Sequence, residues 1–271
     1  MNNITYPKFS VLMPLYNGDK PLFFRRAIQS VVNNSCKPNQ VVLVIDGPIN
    51  KNLEVIISEF KDETFKIIRI KENRGIINAL NKGIVECDFE LIARCDSDDE
   101  NFINRFELQL REFMNDEKLV LCGGQIIEIA DGKKFYRNVP SSMTEISKFI
   151  RLRNPFNHMT VMYKKSAVIK AGKYPNILYR EDYALWVKLF SMNKKLKNLN
   201  ENIVFANAGI EMYKRRGKPK DILYEIKLQR FMHKNKIINP LQMFLNLIIR
   251  SLNMVVTPKI RGAIYSKFLR K

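Results

Sequence analysis

The residues of this chain best suited to chemistry form an acidic cluster, Asp96-Ser97-Asp98-Asp99-Glu100. Two residues before the cluster, a short apolar run at residues 89–93 ends, and this run predicts a buried strand. Carboxylates this close together repel one another unless they are solvated or share a cation. Mg²⁺ and Mn²⁺ take oxygen ligands, often one or two carboxylates together with substrate phosphate oxygens. The spacing therefore indicates either a divalent cation held against a diphosphate or a polar turn before a helix.

The first half of the chain contains the elements that must position this cluster. Near-continuous apolar runs alternate there with segments of helical periodicity, a pattern typical of a parallel sheet covered on both faces. The predicted strands are residues 9–15, 40–45, 65–70 and 89–93, and the predicted helices are residues 21–33, 53–60 and a segment ending at 84.

A polar segment follows each of these predicted strands. The four segments are Asn17-Gly18, Asp46-Gly47, Asn73-Arg74-Gly75 and the acidic cluster. Ligands of parallel α/β sheets bind outside the carboxyl ends of the strands. We therefore expect the four segments to meet at one edge of the sheet, which we call the binding rim.

The rest of the chain has a mixed pattern followed by a helical one. Residues 119–129 and 135–139 resemble antiparallel strands joined by a turn at Asp131-Gly132, and residues 160–163 predict another short strand. Residues 182–192 predict a helix, and the pattern is helical from Asp221 onward.

Composition excludes several classes of protein. The chain has 271 residues, enough for one large domain or one domain with an appendage. Its four cysteines are scattered without a C-x-x-C motif, which predicts a reduced, cytoplasmic chain without disulfides or structural zinc. Two histidines are too few for a multi-histidine zinc site. No basic segment followed by an apolar one marks a signal peptide near the N-terminus.

The net charge of +19 is concentrated near the C-terminus. Residues 214–271 hold 15 Lys/Arg and 2 Asp/Glu. This excess predicts a polyanionic partner: a membrane surface, a nucleic acid or an acidic ligand. Because no nucleic-acid-binding motif is recognisable, we expect no nucleic-acid partner.

An apolar segment at residues 241–256 lies within this basic region. It has 16 residues, with Arg250 inside, whereas a membrane-crossing helix needs about 20 apolar residues. Its basic flanks, Lys234, Lys236, Lys259, Arg261 and Lys267, favour a helix lying on anionic lipid. We expect a peripheral location on the inner face of the cell membrane. The alternative is a helix that packs on the rest of the protein.

The order of motifs resembles the family 2 inverting glycosyltransferases of GT-A fold, and most of all the bacterial members that build capsule, O-antigen or exopolysaccharide. The resemblance covers roughly residues 8–217 and implies an α/β catalytic domain, residues 1–217, followed by a basic helical region, residues 218–271. The motifs are residues 10–17, residues 44–47, Asn73-Arg74-Gly75 with residues 79–84, residues 96–99, and Arg180-Glu181-Asp182.

The resemblance implies a nucleotide-diphosphate sugar as donor. Asp46 matches an acidic residue that accepts a hydrogen bond from the imide of uracil, so a UDP-linked sugar is expected. The plainer interpretation of Asp46 is a turn-forming residue before Gly47. Asn78 either supports the site or is only a polar helix position. The implied donor-binding residues are Pro14, Tyr16, Asn17, Asp46, Arg74, Asn78 and Asp96.

The resemblance also assigns the chemistry. Asp98 becomes the metal ligand with Asp99 assisting, and Mn²⁺ or Mg²⁺ is the implied cofactor, which neutralises the leaving diphosphate. Asp182 matches the general base that deprotonates the acceptor hydroxyl, and Glu181 orients it. The alternative is that these two acids only favour the start of a helix.

An acceptor site is implied by residues 154–162, which resemble the Asn-Pro-x-Asn-His segment of exopolysaccharide transferases. Asn157 and His158 are its candidate contacts, although a lone histidine is more often structural. Arg215 and Arg216 match a basic loop over the diphosphate, or else are solvated charges. The chain lacks the Gln-x-x-Arg-Trp motif and the membrane spans of processive synthases. Addition of one sugar to a growing, lipid-linked glycan is therefore expected.

Three other classes remain as alternatives. A sugar-phosphate nucleotidyltransferase also uses a parallel sheet and acidic ligands, but residues 13–20 lack its glycine-rich basic loop. A nucleic-acid-binding module is prompted only by the net charge. A non-catalytic relative is disfavoured because Asp98, Asp99 and Asp182 are intact.

Overall fold

The computed structural model describes residues 5–130, 132–207 and 221–255, without the side chains of residues 252–255. The strands are β1 (Phe9–Leu15), β2 (Gln40–Asp46), β3 (Phe65–Ile70), β4 (Leu91–Arg94), β5 (Glu100–Asn101), β6 (Leu119–Ala130), β7 (Lys133–Arg137), β8 (Met162–Lys164) and β9 (Lys195–Asn207). The helices are α1 (Pro21–Val32), α2 (Lys51–Phe60), α3 (Ile76–Glu86), α4 (Arg105–Asn115), α5 (Met143–Phe149), α6 (Lys165–Lys170), α7 (Glu181–Ser191), α8 (Asp221–Lys234) and α9 (Pro240–Val255).

One half of the sheet is parallel, as the alternation of strands and helices predicts. Strands β3, β2, β1 and β4 lie side by side in that order, and each neighbouring pair is parallel. Every residue of β1 and β2 is buried. Two apolar cores cover the two faces of the sheet. The predicted α/β fold class is thus confirmed.

The other half of the sheet is mixed. Strand β8 runs antiparallel between β4 and β6, and β6 pairs in parallel with β9. Strand β7 forms the predicted antiparallel pair with β6. The short strand predicted over residues 160–163 is shifted, because a 3₁₀ turn, His158–Thr160, precedes β8.

The long strand β9 is absent from the prediction for a physical reason. Lysine, asparagine and glutamate interrupt its first eight residues, so strand periodicity is not visible there, and the apolar run at residues 203–206 is short. Distant loops satisfy the amide nitrogen of one of these buried polar side chains. Asn198 is fully buried, and its amide donates to the carbonyls of Pro140 and Pro155 at 2.7 and 3.0 Å.

The C-terminal helices pack on the sheet domain. Leu228 and Met232 of α8 belong to the same apolar core as Trp186 of α7, and α9 packs against α8. The predicted domain boundary at residue 217 lies outside the described residues. Within the part of the chain that the structure describes, no helix is long and apolar enough to span a bilayer.

Candidate active site

The binding rim forms where the parallel strands end, and Asp46 joins two of its segments. Both carboxylate oxygens of Asp46, at the end of β2, accept backbone N–H groups from the loop before α3. The donors are the amides of Arg74 and Gly75, at 2.8 and 2.7 Å. Asp46 is only 5% exposed, whereas the Arg74 side chain is exposed. Each carboxylate oxygen can accept more than one hydrogen bond, so Asp46 retains capacity for a ligand.

Two glycines with left-handed backbones set the shape of this part of the rim. Gly47 and Gly75 have φ of 87° and 85°. A Cβ at Gly47 would lie 2.7 Å from the backbone nitrogen of Asn73, whereas a Cβ at Gly75 would meet no atom within 4 Å. Gly47 therefore permits a close approach of two chain segments, and Gly75 only a backbone conformation.

This difference gives a prediction with a matched control. We expect Gly75→Ala to lower the free energy of unfolding by about 1 kcal/mol through backbone strain alone. Gly47→Ala should lower it by about 2–4 kcal/mol, because strain and the clash with Asn73 add. Urea unfolding followed by circular dichroism measures both. Equal losses would contradict the close packing of the two segments.

The loop after β1 forms the next part of the rim, and Asp19 connects it to the acidic cluster. One carboxylate oxygen of Asp19 accepts the Tyr16 amide at 3.0 Å and the Ser97 hydroxyl at 2.8 Å. Tyr16 and Asn17 are exposed on this loop, while Pro14 is buried within β1. Only an Asn-Gly-Asp turn sequence could have pointed to Asp19 as an organising residue.

Three carboxylates of the acidic cluster converge. Oxygen atoms of Asp96, Asp98 and Asp99 lie within 4.8 Å of one another. Burial, followed by the charges of Asp96 and Asp19, raises the pKa of Asp98 to about 7. Burial and the same cluster raise the pKa of Asp99 well above its usual value, although its carboxylate accepts the Asn207 amide at 2.8 Å. The arrangement disfavours three negative charges in the absence of a cation.

Two buried arginines lie beneath the cluster and partly neutralise it. Arg94, 3% exposed, makes a bidentate pair with Asp96 through both terminal nitrogens. Arg105 is fully buried and donates to the Arg94 carbonyl at 2.8 Å and to the Asn101 side chain. Of the three converging carboxylates, Asp96 is paired in this way, whereas Asp98 and Asp99 accept no hydrogen bond from an arginine in the described part of the chain.

The donor set fits a divalent cation. It consists of carboxylate oxygens, the ligands that Mg²⁺ and Mn²⁺ prefer. Burial raises the pKa of Asp98 to about 7. Asp98 and Asp99 would hold the ion, with Asp96 close enough to contribute.

The second carboxylate pair lies at the start of α7. One oxygen of Asp182 accepts the Asn154 amide at 2.7 Å, and the other accepts the Tyr183 backbone N–H at 2.7 Å. Glu181 has a buried carboxylate oxygen, Oε2, without a hydrogen-bond partner in the described structure. The pair can therefore accept a proton from a bound molecule, or a hydrogen bond from one of its hydroxyl groups.

Burial, and secondly the charge of Asp182, raise the pKa of Glu181 from 4.5 to about 7. The folded protein thus binds the carboxyl proton of Glu181 more tightly than the unfolded chain does. The stabilisation of the fold by this protonated side chain is therefore present at low pH and is lost as the pH rises from 4.5 through 7. We expect the Glu181→Gln variant to be more stable than wild type at pH 8.5, with a free energy of unfolding about 2 kcal/mol higher. At pH 4.5 the two free energies of unfolding should differ little. Denaturant unfolding at the two pH values measures this, and a constant difference would contradict the raised pKa.

Arg94 links the two carboxylate groups electrostatically. Its positive charge partly offsets the effect of burial, which raises the pKa values of Glu181, Asp98 and Asp99. Strand pairing brings the acceptor segment, residues 154–162, alongside, because the Arg94 amide donates to the Val161 carbonyl at 2.8 Å. The acidic cluster, the acceptor segment and the start of α7 therefore surround one buried arginine.

Of the two predicted acceptor contacts in the acceptor segment, His158 is half-buried and Asn157 is buried. His158 Nε2 is hydrogen-bonded to the Tyr174 hydroxyl at 2.9 Å, and burial lowers the pKa of His158 well below its usual value. His158 is half-buried and neutral, and so can offer a hydrogen bond to a ligand. Asn157 is buried, and its amide donates to the Gly124 carbonyl at 3.0 Å. Its side chain thus supports the fold, and we leave it out of the proposed acceptor contacts.

Other predicted residues have a simpler position. Asn78 is exposed on the first turn of α3, whereas Asn81 on the same helix makes two hydrogen bonds to the Tyr174 backbone. Arg215 and Arg216 lie outside the described residues. The sequence reasoning gave no role to Asp19, Arg94, Asn154 or Tyr174. Arg94 carries a detectable signal, because an arginine at a buried strand end beside Asp96 requires an acidic partner.

An α/β fold with an Asp cluster at the carboxyl ends of its parallel strands, and with a second carboxylate pair at the start of α7, is what the resemblance to nucleotide-sugar glycosyltransferases implies. The sequence profile of Glycosyl transferase family 2 matches residues 10–178. The chain belongs to this family, as the order of motifs indicates.

Several bacterial proteins are similar to this chain over nearly their whole length. An uncharacterized glycosyltransferase of Haemophilus influenzae is 36% identical, covering 97% of this chain and 100% of the relative. The UDP-Gal:alpha-D-GlcNAc-diphosphoundecaprenol beta-1,3-galactosyltransferase of Escherichia coli is 34% identical over 98% of each chain. The amylovoran biosynthesis glycosyltransferase AmsE of Erwinia amylovora is 32% identical, covering 96% of this chain and 98% of the relative.

Among solved structures, the fold is similar to S. aureus TarS 1–349 in complex with UDP-GlcNAc. The TM-score is 0.66 at 18% identity, and the match covers 97% of this chain and 73% of TarS 1–349. This similarity confirms the fold.

Proposed function

We propose that the protein transfers one sugar, with inversion, from a UDP-sugar to a hydroxyl group of a lipid-linked glycan during synthesis of a surface polysaccharide. The observation that carries the proposal is the position of the acidic cluster on the same rim as Asp46. One end of that rim suits a diphosphate and the other a nucleoside. The names of the Escherichia coli and Erwinia amylovora relatives support a UDP-sugar, a lipid-diphosphate acceptor and polysaccharide synthesis.

In the proposed reaction the rim holds the donor and α7 supplies the base. Tyr16, Asn17 and Asp46 bind the nucleoside, and Arg74 approaches the diphosphate from its exposed position. Asp182 takes the proton of the acceptor hydroxyl as its oxygen attacks the anomeric carbon opposite the leaving UDP. Asn154 fixes one Asp182 oxygen, and the His158 imidazole contacts the acceptor.

The proposal includes a divalent cation, Mn²⁺ or Mg²⁺, held by Asp98 and Asp99. When bound, the ion stabilises the negative charge of the departing diphosphate. Asp96, paired with Arg94, contacts the ribose or the transferred sugar.

We further propose that α9 places the enzyme on the anionic inner face of the membrane, where a lipid-linked acceptor would lie. One face of α9 bears exposed apolar residues at helical spacing, which we call the apolar stripe: Leu241, Phe244, Leu245, Ile248 and Ile249. The opposite face carries Asn246 and Arg250, which bond to the protein. Exposed Lys234 and Lys236 precede the helix. An amphipathic helix with basic neighbours is typical of an interfacial anchor.

The apolar stripe gives a prediction that separates lipid binding from folding. We expect Phe244→Ser to weaken binding to phosphatidylglycerol vesicles about tenfold without a lower melting temperature, because this side chain is 59% exposed. Leu22→Ser on α1, where Leu22 is 58% exposed, is the matched control and should bind like wild type. Vesicle co-sedimentation measures both variants. Equal weakening by the two would contradict the proposed surface.

Calorimetric titration with UDP, CDP and GDP, each with and without Mn²⁺, tests the donor site. We expect UDP to bind more tightly than the other two, and only UDP binding to depend on Asp46. A preference for GDP or CDP would overturn the UDP assignment, and absence of nucleotide binding would overturn the donor site.

A further inference from the structure

A buried ion cluster lies where α7, α8 and α9 meet. Glu225 of α8 is 2% exposed and accepts hydrogen bonds from two arginines. Arg180 Nε lies 3.1 Å from one carboxylate oxygen, and Arg250 Nε lies 3.1 Å from the other. Gln229 adds a hydrogen bond at 2.8 Å. Two cations and an amide thus share one buried carboxylate, and loss of that carboxylate would leave both arginines without their shared counter-charge.

The two arginines of this ion cluster belong to different functional parts of the protein. Arg180 immediately precedes the Glu181–Asp182 pair, and its backbone carbonyl accepts the Ala184 amide at 2.9 Å within the first turn of α7. Arg250 belongs to α9 and also donates to the Leu152 carbonyl at 2.6 Å. Glu225 is therefore the shared partner of the residue that opens α7 and of the inner face of α9.

The opposite face of α9 is the apolar stripe. Arg250 follows Ile249 directly and lies half a helical turn from the centre of the stripe, so a shift of this helix at a lipid surface moves Arg250 with it. Asn246, one turn before Arg250, donates to the Arg151 carbonyl at 2.9 Å and to Gln229 at 3.1 Å. The polar face of α9 is thus fixed to the chain segment just before Asn154, the partner of Asp182.

We propose that Glu225 is a positioning residue that couples the placement of α9 to the Glu181–Asp182 pair through Arg180. The inference rests on the proposed function, in which Asp182 is the base and α9 lies on lipid. Lipid contact at the apolar stripe would then order the start of α7 and align Asp182 for an acceptor held in the same membrane.

The charges around Glu181 define what removal of Glu225 should do. Asp182 and Arg180 flank Glu181 on its own segment, Arg94 acts from β4, and Tyr174 faces the pair from the loop before α7. Arg180 favours the charged form of Glu181, and Glu225 neutralises part of that influence. In Glu225→Gln the positive charge of Arg180 is left uncompensated, so Glu181 should lose its proton at a lower pH.

Hydrogen–deuterium exchange of the full-length protein tests the coupling without any acceptor. The amides of Arg180, Tyr183 and Ala184 are all hydrogen-bonded, so their exchange reports opening of the first turn of α7. We expect Arg250→Met to accelerate exchange in a peptide covering residues 179–186 about tenfold, although the substitution lies on α9. Arg69→Met is the matched control, because it removes a bidentate pair with Glu54 on a distant surface. Faster exchange in α8 and α9 with an unchanged 179–186 peptide would overturn the proposal.

A second readout distinguishes positioning from simple loss of structure. The acid limb of the pH dependence of UDP release should move about one pH unit lower in Glu225→Gln. A rate that falls equally at every pH would show that Glu225 only stabilises the fold, and would overturn the proposal.

Phosphatidylglycerol vesicles separate this inference from the membrane proposal. In wild type, vesicles should slow exchange in α9 and in the 179–186 peptide, and Arg250→Met should abolish the second effect alone. If vesicles did not slow exchange in α9, the proposed membrane contact would be overturned. The coupling measured with Arg250→Met would not be. Protection of α9 without any effect at residues 179–186 would overturn the coupling.

Discussion

Asp182→Asn is expected to lower the rate of UDP release during sugar transfer by about 10²–10⁴-fold, the range typical of a positioned general base. The amide keeps the size of the carboxylate, so the hydrogen bond with the Tyr183 amide can remain. In the proposed reaction Asp182 contacts the acceptor and not the nucleotide, so the dissociation constant for UDP should be unchanged. Initial rates and calorimetric titration of the same protein measure the two quantities.

A first-turn acid of another helix provides the control for Asp182. Glu54 lies in the first turn of α2 and pairs with Arg69 at the surface. If Asp182 served only to favour its helix, Glu54→Gln and Asp182→Asn would have similar small effects of about 0.5 kcal/mol on stability and none on rate. A wild-type rate in Asp182→Asn would remove it as the base.

Asp98→Asn is expected to abolish the Mn²⁺-dependent part of UDP binding and to lower the rate of UDP release more than about 100-fold. Substitutions of groups that only support a metal ligand already cost 10–100-fold, so loss of a ligand should cost more. The metal-free variant should be at least as stable as wild type, because a neutral amide relieves repulsion from Asp96 and Asp99. Thermal unfolding with UDP, with Mn²⁺ and with EDTA measures these effects.

Asp62→Asn in the exposed turn before β3 is the control for the loss of one carboxylate. It should retain the full Mn²⁺-dependent stabilisation by UDP. Retention of that stabilisation in Asp98→Asn would contradict the assignment of this residue as a metal ligand.

The binding rim could be predicted from sequence because burial on both sheet faces leaves a strong apolar signal. Strands β1 and β3 have the predicted limits, and the polar segments after the parallel strands therefore had to converge. What stayed hidden was the pairing of side chains. Asp46 holds the Asn73–Gly75 loop through backbone amides, and amide positions depend on the path of the chain rather than on residue type.

The mixed half of the sheet was harder to predict for the opposite reason. Strand β9 buries Asn198, whose amide nitrogen donates to carbonyls of distant loops, so the polarity of this strand resembles that of a surface segment. The side-chain directions of the acceptor segment likewise could not be predicted from its sequence. A histidine and an asparagine in one motif point in different directions, with His158 toward Tyr174 and Asn157 into the fold.

The C-terminal helix packs on the enzyme through polar side chains, as one of its two sequence interpretations predicts. Its pattern was compatible with lipid binding or with packing on the domain. The structure shows Asn246 and Arg250 bound to the protein while Phe244 is exposed. The polar interruptions that shorten the apolar segment are thus its attachment to the enzyme.

Release of UDP from a panel of UDP-sugars, measured with Mn²⁺ and with EDTA, tests the central proposal most directly. We expect slow, metal-dependent hydrolysis of one or two UDP-sugars by the wild type, accelerated by a short-chain lipid-diphosphate sugar and lost in Asp98→Asn. Equal release with EDTA, or equal release by Asp98→Asn, would contradict a donor site built on the acidic cluster.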